Sequence, residues 1–321
     1  MDLKLCSHTA LRIIILLLGK LILLSAQPIS PRFENISIEE GLSQRFVLEV
    51  LTDCQGFLWV ATEDGLNKYD GYGFKTFRHD PESPNSLGGN VLRQALTSHA
   101  QGHHKLWVCT VGGGLSCLDL TTETFTNYQH DPDDSTSISN NSVWIAEEVV
   151  FDGVPELWVG VVGSLDRLNY ETGEFRHYQL GSTITALYQD GQGVLWAGTS
   201  RHGLCRYNPE TDTFTSYVND PENKASLSWN NVDEIFEDRY GTLWVGTFGG
   251  GLDRLEAGRE IGTEPTFSHF VHDPLNPQSI SGNAIEYLYE DRLGNFWITT
   301  YGGGLDLLNR ETGDFTRFSE D

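Results

Sequence analysis

Beyond residue 40 the chain is a succession of short apolar runs, each cut off by a polar turn. The phrase L-W-V-G-T recurs as FLWVAT (57–62), KLWVCT (105–110), ELWVGV (156–161), VLWAGT (194–199), TLWVGT (242–247) and NFWITT (295–300). Its tryptophans, Trp59, Trp107, Trp158, Trp196, Trp244 and Trp297, are separated by 48, 51, 38, 48 and 53 residues. A period of this length marks stacked or radial repeats. Each unit has four beats. An apolar run entered through S-[LI]-S-x-N leads to a D-x-x-G turn such as DGQG or DRYG. The Trp run, a glycine-rich break and a run such as GLDRL follow, and a turn such as NYETG precedes a last run carrying F-x-x-[YF]. Short β-branched and aromatic runs between Asp, Asn and Gly turns predict strands. No stretch past the leader keeps a 3.6-residue period. Four antiparallel strands per unit, repeated radially, predict an all-β fold, a β-propeller with six repeats visible. The propeller is expected over residues 31–321, with repeats near 41–78, 86–128, 137–178, 182–217, 226–270 and 279–318.

The N-terminus departs from this pattern. Lys4 and Arg12 precede IIILLLGKLILL and then SAQP, the layout of a secretory signal peptide over residues 1–26. Lys20 breaks the apolar run, which is short for a membrane span; an uncleaved anchor is the other reading. Either places the propeller in the periplasm or outside the cell.

A formal net charge of −24, from 45 Asp+Glu against 21 Lys+Arg, excludes nucleic acid as a partner, because phosphates are neutralised by Lys and Arg. Cys6 lies in the leader. Cys54, Cys109, Cys117 and Cys205 match no zinc spacing and no disulfide framework. Cys109 and Cys117 flank one glycine turn and read as apolar filling, or as a pair facing across a hairpin. No catalytic motif, metal site or cofactor site stands out, and D-R-Y-G-T-L-W resembles the Asp-box turn of some propeller enzymes, a structural element that carries no activity.

The string N-x-[VI]-x-x-[IL]-x-E-D-x-x-G-x-[LF]-W-[VI]-[GT]-T-x-G-G-G-L-[DS]-x-L, joined by H-D-P-x-x-P-x-S-[LI]-S, resembles the two-component regulator propeller repeat. The resemblance spans residues 33–318. It implies an extracytoplasmic sensor propeller of the kind that continues into a histidine kinase or diguanylate cyclase, output segments not present in these 321 residues. It further implies a non-catalytic role: sensing a small molecule or oligosaccharide, with a membrane signalling protein, kinase or cyclase, as a possible partner. A protein-interaction scaffold and, further off, a polysaccharide lyase or glycosidase are the rival readings.

Alternation of strand direction puts the a–b and c–d turns at one end and the b–c and d–a connections at the other. The second end carries the long loops, HDPESPNSLGGN, HDPDDSTSISNN, NDPENKASLSWN and HDPLNPQSISGN, and rigid scaffolds usually bind through such loops. Asn90, Asn141, Asn230 and Asn283 occupy one repeated point there, with Arg45 and Ser182 matching in the other units. Capping of their own loops is the architectural reading of these asparagines. Residues that vary between units, Arg45, Trp144, Arg201, His202, Trp229, Phe248 and Tyr301, are the better ligand candidates, and aromatics beside amides and Arg suit a sugar. His79, His130 and His272 recur in H-D-P, with Asn219 in the fourth copy. They read as loop-stabilising groups, since each lies in a different connection. The glycines of TLWVGTFGGGLDRL (242–255) read as hairpin glycines, since no helix follows to complete a phosphate cradle.

Overall fold

In the computed structural model, residues 37–98, 100 and 104–318 are described. The leader expected over residues 1–26 lies outside them. The described residues form six four-stranded antiparallel sheets, each in the order a–b–c–d. They are the blades of a six-bladed β-propeller. The a strands, Val47–Thr52, Leu92–Thr97, Val143–Phe151, Ile184–Gln189, Val232–Glu237 and Ile285–Glu290, approach one another from blade to blade and line the axis. No described helix is long and apolar enough to cross a membrane.

The repeated residues build the blades. In the first, fourth, fifth and sixth blades the turn aspartate accepts the indole N–H of the Trp six residues later, with distances of 2.8 Å (Asp53–Trp59), 2.9 Å (Asp190–Trp196), 3.0 Å (Asp238–Trp244) and 3.1 Å (Asp291–Trp297). The other carboxylate oxygen accepts backbone N–H groups of the turn, as Asp53 does from Gln55 and Phe57. One side chain thus closes the turn and satisfies a buried donor, which would otherwise carry its full desolvation cost. Blades two and three lack this bond. Asp152 stands six residues before Trp158, yet the indole turns to Glu156 at 3.1 Å, and the buried Trp107 Nε1 has no partner among the described residues.

Each blade is too thin to own a core, so apolar side chains collect between blades. Trp59 packs with Leu92, Leu106 and Phe125 of the second blade, Trp107 with Val143 and Val159 of the third, and Trp196 with Val232 and Val245 of the fifth. Equivalent clusters join blades three to four and five to six. Six blades are therefore joined by five apolar cores among the described residues. At the remaining seam Trp297 is only half-buried, and Val47, Val50, Tyr287 and Tyr289 are exposed, although the same positions elsewhere are covered. Fully covering one such side chain is worth about 1.5–3 kcal/mol, so each occupied interface is a main source of stability.

Cys109, Cys117 and Cys205 are buried free thiols. Cys109 lies opposite Leu115 and Cys117 opposite Trp107, so the two do not face each other across the hairpin. Both sit inside the apolar cluster between blades two and three, and burial pushes the Cys117 thiol up to about 11.

Candidate functional site

The b–c and d–a connections do share one end. Within each long loop the repeated asparagine side chain accepts the backbone N–H of the residue eleven earlier. The distances are 2.7 Å to His79 from Asn90, 2.7 Å to His130 from Asn141, 2.7 Å to Asn219 from Asn230 and 2.6 Å to His272 from Asn283. The histidines reach back: Nδ1 of His79, His130 and His272 each lies 2.8 Å from a loop carbonyl, that of Leu87, Ile138 and Ile280. Asn219 places its Nδ2 donor at the same point, 2.8 Å from the Leu227 carbonyl. An amide N–H does the job of an imidazole N–H, so the H-D-P histidine is a donor to its own loop. No cluster of metal-ligating side chains occurs among the described residues.

The glycine turns are engaged as well. Gly65, Gly114, Gly203 and Gly251 donate to the carbonyls of Asn90, Asn141, Asn230 and Asn283 in the next blade, at 2.8, 2.9, 3.0 and 2.9 Å. Gly249 donates to Asn283 too, at 2.9 Å. These N–H groups staple neighbouring blades and do not form an anion cradle. The left-handed φ of +89° at Gly251, and a Cβ that would lie 2.3 Å from the Phe270 carbonyl, explain why only glycine fits.

The asparagine ring is therefore architecture, and attention passes to what varies. Arg45 and Arg201 are exposed. His202 is tied to the Leu180 carbonyl at 3.0 Å and helps hold its loop. Trp229, Phe248 and Tyr301 are exposed by 51%, 41% and 68%. The indole of Trp229 lies against Gly249, and the Phe248 and Tyr301 rings are 6.0 Å apart. Phe248 donates its N–H to Asn231 at 2.9 Å and bridges Ala284, while Tyr301 donates to Ala284 at 2.8 Å. The structure thus brings three of the expected candidates to one stretch of rim on the last two blades. Trp144 lies elsewhere, its ring 4.4 Å beneath the Arg93 guanidinium, joining blades two and three.

Arg93 belongs to a set of which sequence reasoning picked out Trp144 alone. Every a strand carries a register shift near its start, where an extra residue bulges out of the ladder. Bulges re-aim side chains, commonly at barrel rims and binding sites. The six bulged residues are Leu48, Arg93, Trp144, Thr185, Asp233 and Glu286. In the four asparagine-bearing units each lies three residues after that asparagine, a fixed offset from a visible landmark, which is the signal that could have found them. Beside them lies a group of carboxylates. Burial pushes Glu49 up to about 7. Burial and then Glu148 push Glu147 up to about 8. Burial and then Glu286 push Asp233 up to about 6. Glu234 is raised well above the usual carboxylate range by burial, then by Glu49, Asp233 and Glu147.

Two further arrangements look chemical and are structural. Ser139, Asp166 and His177 meet, with the Asp166 carboxylate 2.8 Å from the hydroxyl and 2.9 Å from His177 Nδ1. The far nitrogen of His177 faces the Ser135 carbonyl at 3.1 Å, so it is committed to the loop and not to activating the serine. A concavity lies at the opposite end, between blades five and six, where Arg310 already pairs with Asp238 and Glu290.

The fold and this rim define an all-β repeat propeller whose variable residues gather at the loop face. A family profile, the two component regulator propeller, matches residues 178–201, 226–249 and 279–302. Each match includes the a strand, the Trp strand and the turn beyond it. A 64-residue segment, 20% of this chain and 5% of the relative, is 44% identical to "Histidine kinase P4" of Formosa agariphila. Among solved structures, the β-propeller domain of Cps50 (Swd1) from Myceliophteria thermophila is similar over 87% of each chain, at 15% identity and TM-score 0.59. PorZ, a surface component of the type-IX secretion system of Porphyromonas gingivalis, is similar over 81% of this chain and 38% of its own, at 17% identity and TM-score 0.57. An extracellular domain assigned to a hybrid two component system of B. thetaiotaomicron aligns over 90% of this chain at 22% identity and TM-score 0.38. The chain spans 55% of that domain. At these identities the two structures with TM-scores above 0.5 speak for the fold alone.

Proposed function

We propose that the chain is a non-catalytic, ligand-sensing propeller that works in the periplasm or outside the cell. It binds a small solute or oligosaccharide on the loop face and passes the signal to a membrane kinase or cyclase. The observation that carries the reading is the exposed Trp229–Phe248–Tyr301 platform on a scaffold whose repeated loop asparagines are already hydrogen-bonded. Exposed aromatics of this size are costly in water and commonly mark binding surfaces. The repeat family and the segment shared with a histidine kinase support the signalling part of the reading, and the basic and apolar leader supports the location. The absence of a free general base beside Ser139 favours binding over hydrolysis.

The test is thermal-shift screening of the chain against oligosaccharide and small-solute panels, repeated with Trp229→Ala and Phe248→Ala. A ligand whose stabilisation disappears in both variants supports the reading. Stabilisation that persists in both variants moves the site elsewhere, and release of cleaved product would make the protein an enzyme. A second reading, a protein-interaction scaffold, is favoured by the uncovered apolar seam at Trp297 and Val50. Light scattering that shows a stable complex or self-association lost in Val50→Asp would favour that reading.

A further inference from the structure

The bulge ring offers information about the ligand that the aromatic platform does not. Repetition fixes the backbone at this position and leaves the side chain free, and the six side chains are all different. Their charges are segregated. Arg93 stands on the second blade, stacked on Trp144 of the third. Asp233 and Glu286 stand on the fifth and sixth, near enough that Glu286 raises the proton affinity of Asp233. Glu234 follows Asp233 in the same strand, and Glu49 and Glu147 act on it across the axis. No Lys or Arg forms an ion pair with any of these five carboxylates among the described residues. Three carboxylates of the fifth and sixth blades, by contrast, are answered by arginine: Asp238 and Glu290 share Arg310, and Glu237 has Arg259.

The acidic side of the ring and the aromatic platform coincide. Phe248 is held by Asn231, two residues before Asp233, and by Ala284, two residues before Glu286. The long loops around the same face add Asp80, Glu82, Asp131, Asp133, Asp220 and Glu222, all exposed. Aromatic faces carry negative charge density and attract cations, most strongly where water is partly excluded. Like-signed charge lining a concave mouth concentrates the opposite charge there. A neutral ligand would leave the crowded carboxylates unanswered, and an anionic one would add to their repulsion.

We propose that the ligand of the loop face presents an organic ammonium group to this rim, the charge facing Asp233 and Glu286 and the adjoining carbon skeleton resting on Phe248, Tyr301 and Trp229. The proposal deepens the ligand-sensing reading and rests on it. Probes with one skeleton and two charges decide it: oligomers of glucosamine, with an ammonium on each ring, and oligomers of N-acetylglucosamine of the same linkage and length. Both are titrated calorimetrically into the full chain at a pH where the amine is protonated. The ammonium form is expected to bind at least about tenfold more tightly at low ionic strength, with the gap closing as salt is added. The double variant Asp233→Asn, Glu286→Gln should abolish the gap while leaving N-acetylglucosamine binding in place, and circular dichroism verifies that the variant is folded. Equal or tighter binding of the N-acetylated oligomer, lost in Trp229→Ala, overturns the ammonium assignment and leaves the platform reading standing. Binding of neither oligomer overturns both.

Discussion

The backbone N–H of Gly251 donates to the carbonyl of Asn283 at 2.9 Å, tying the glycine turn of the fifth blade to the entry of the sixth. The same asparagine uses its side chain to cap the N–H of His272 at 2.6 Å, so one residue closes its own loop and staples its blade to the neighbour. Asn283→Ala keeps the carbonyl and loses the cap, and is expected to lower unfolding free energy by about 1–3 kcal/mol, the cost of leaving a polar partner unmatched. Gly251→Ala should cost more, since it strains a left-handed backbone and collides with the Phe270 carbonyl. Urea denaturation of both variants checks the order. An Asn283→Ala protein as stable as wild type would remove the architectural role of the asparagine ring.

Trp244 and Trp297 form a controlled pair. Each donates to its turn aspartate, at 3.0 and 3.1 Å, but Trp244 is enclosed by the sixth blade and Trp297 faces the uncovered seam. Trp244→Ala is expected to cost about 3–5 kcal/mol and Trp297→Ala clearly less, because truncation costs most where surrounding side chains cannot collapse. Equal losses in the two melting curves would mean that the sixth seam is as well packed as the others.

Trp107 and Trp196 isolate the hydrogen bond from the packing. Both indoles are enclosed, yet Trp196 donates to Asp190 at 2.9 Å and Trp107 Nε1 has no partner among the described residues. Trp196→Phe takes the indole donor from the buried Asp190 oxygen and leaves it the Arg259 guanidinium at 3.5 Å, so it should cost about 1 kcal/mol more than Trp107→Phe. Chemical denaturation of the two variants side by side gives the difference directly.

Stability should fall as pH rises from about 5 toward 8. Glu147 is raised to about 8 and Glu49 to about 7 in the folded chain, above the usual carboxylate value of an unfolded one. Below the unfolded value both states hold the proton and no penalty exists. As pH climbs, the unfolded chain releases its protons first, so folding is progressively disfavoured until pH passes the folded values. Glu147→Gln is expected to flatten this slope. Denaturation midpoints measured across that range, with the variant alongside, check the sign; a midpoint that rises with pH would contradict it.

Much of the fold could be read from the chain because its information is local and repeated. The Trp strand, the Asp turn and the F-x-x-[YF] strand each declare themselves within ten residues, and six copies make the pattern hard to miss. The same repetition separated the framework asparagines and histidines from the varying Trp229, Phe248 and Tyr301. Arg93, Asp233 and Glu286 were passed over because a bulge adds no distinctive residue; it is a change of register against the partner strand, and the chain marks its place only by the offset of three from the repeated asparagine.

The sequence by itself determined the strand order of each blade, the face on which the long loops gather, and the turn chemistry that closes each hairpin, since these follow from nearest-neighbour geometry. Tertiary structure decided what depends on the approach of distant blades. It set which glycine N–H meets which asparagine carbonyl and which tryptophan is covered. It set where Glu49 of the first blade and Glu147 of the third come close enough to raise the proton affinity of Glu234 in the fifth. Packing and charge act through space, and residues as far apart as Glu49 and Glu234 become neighbours only once the blades have come round a common centre.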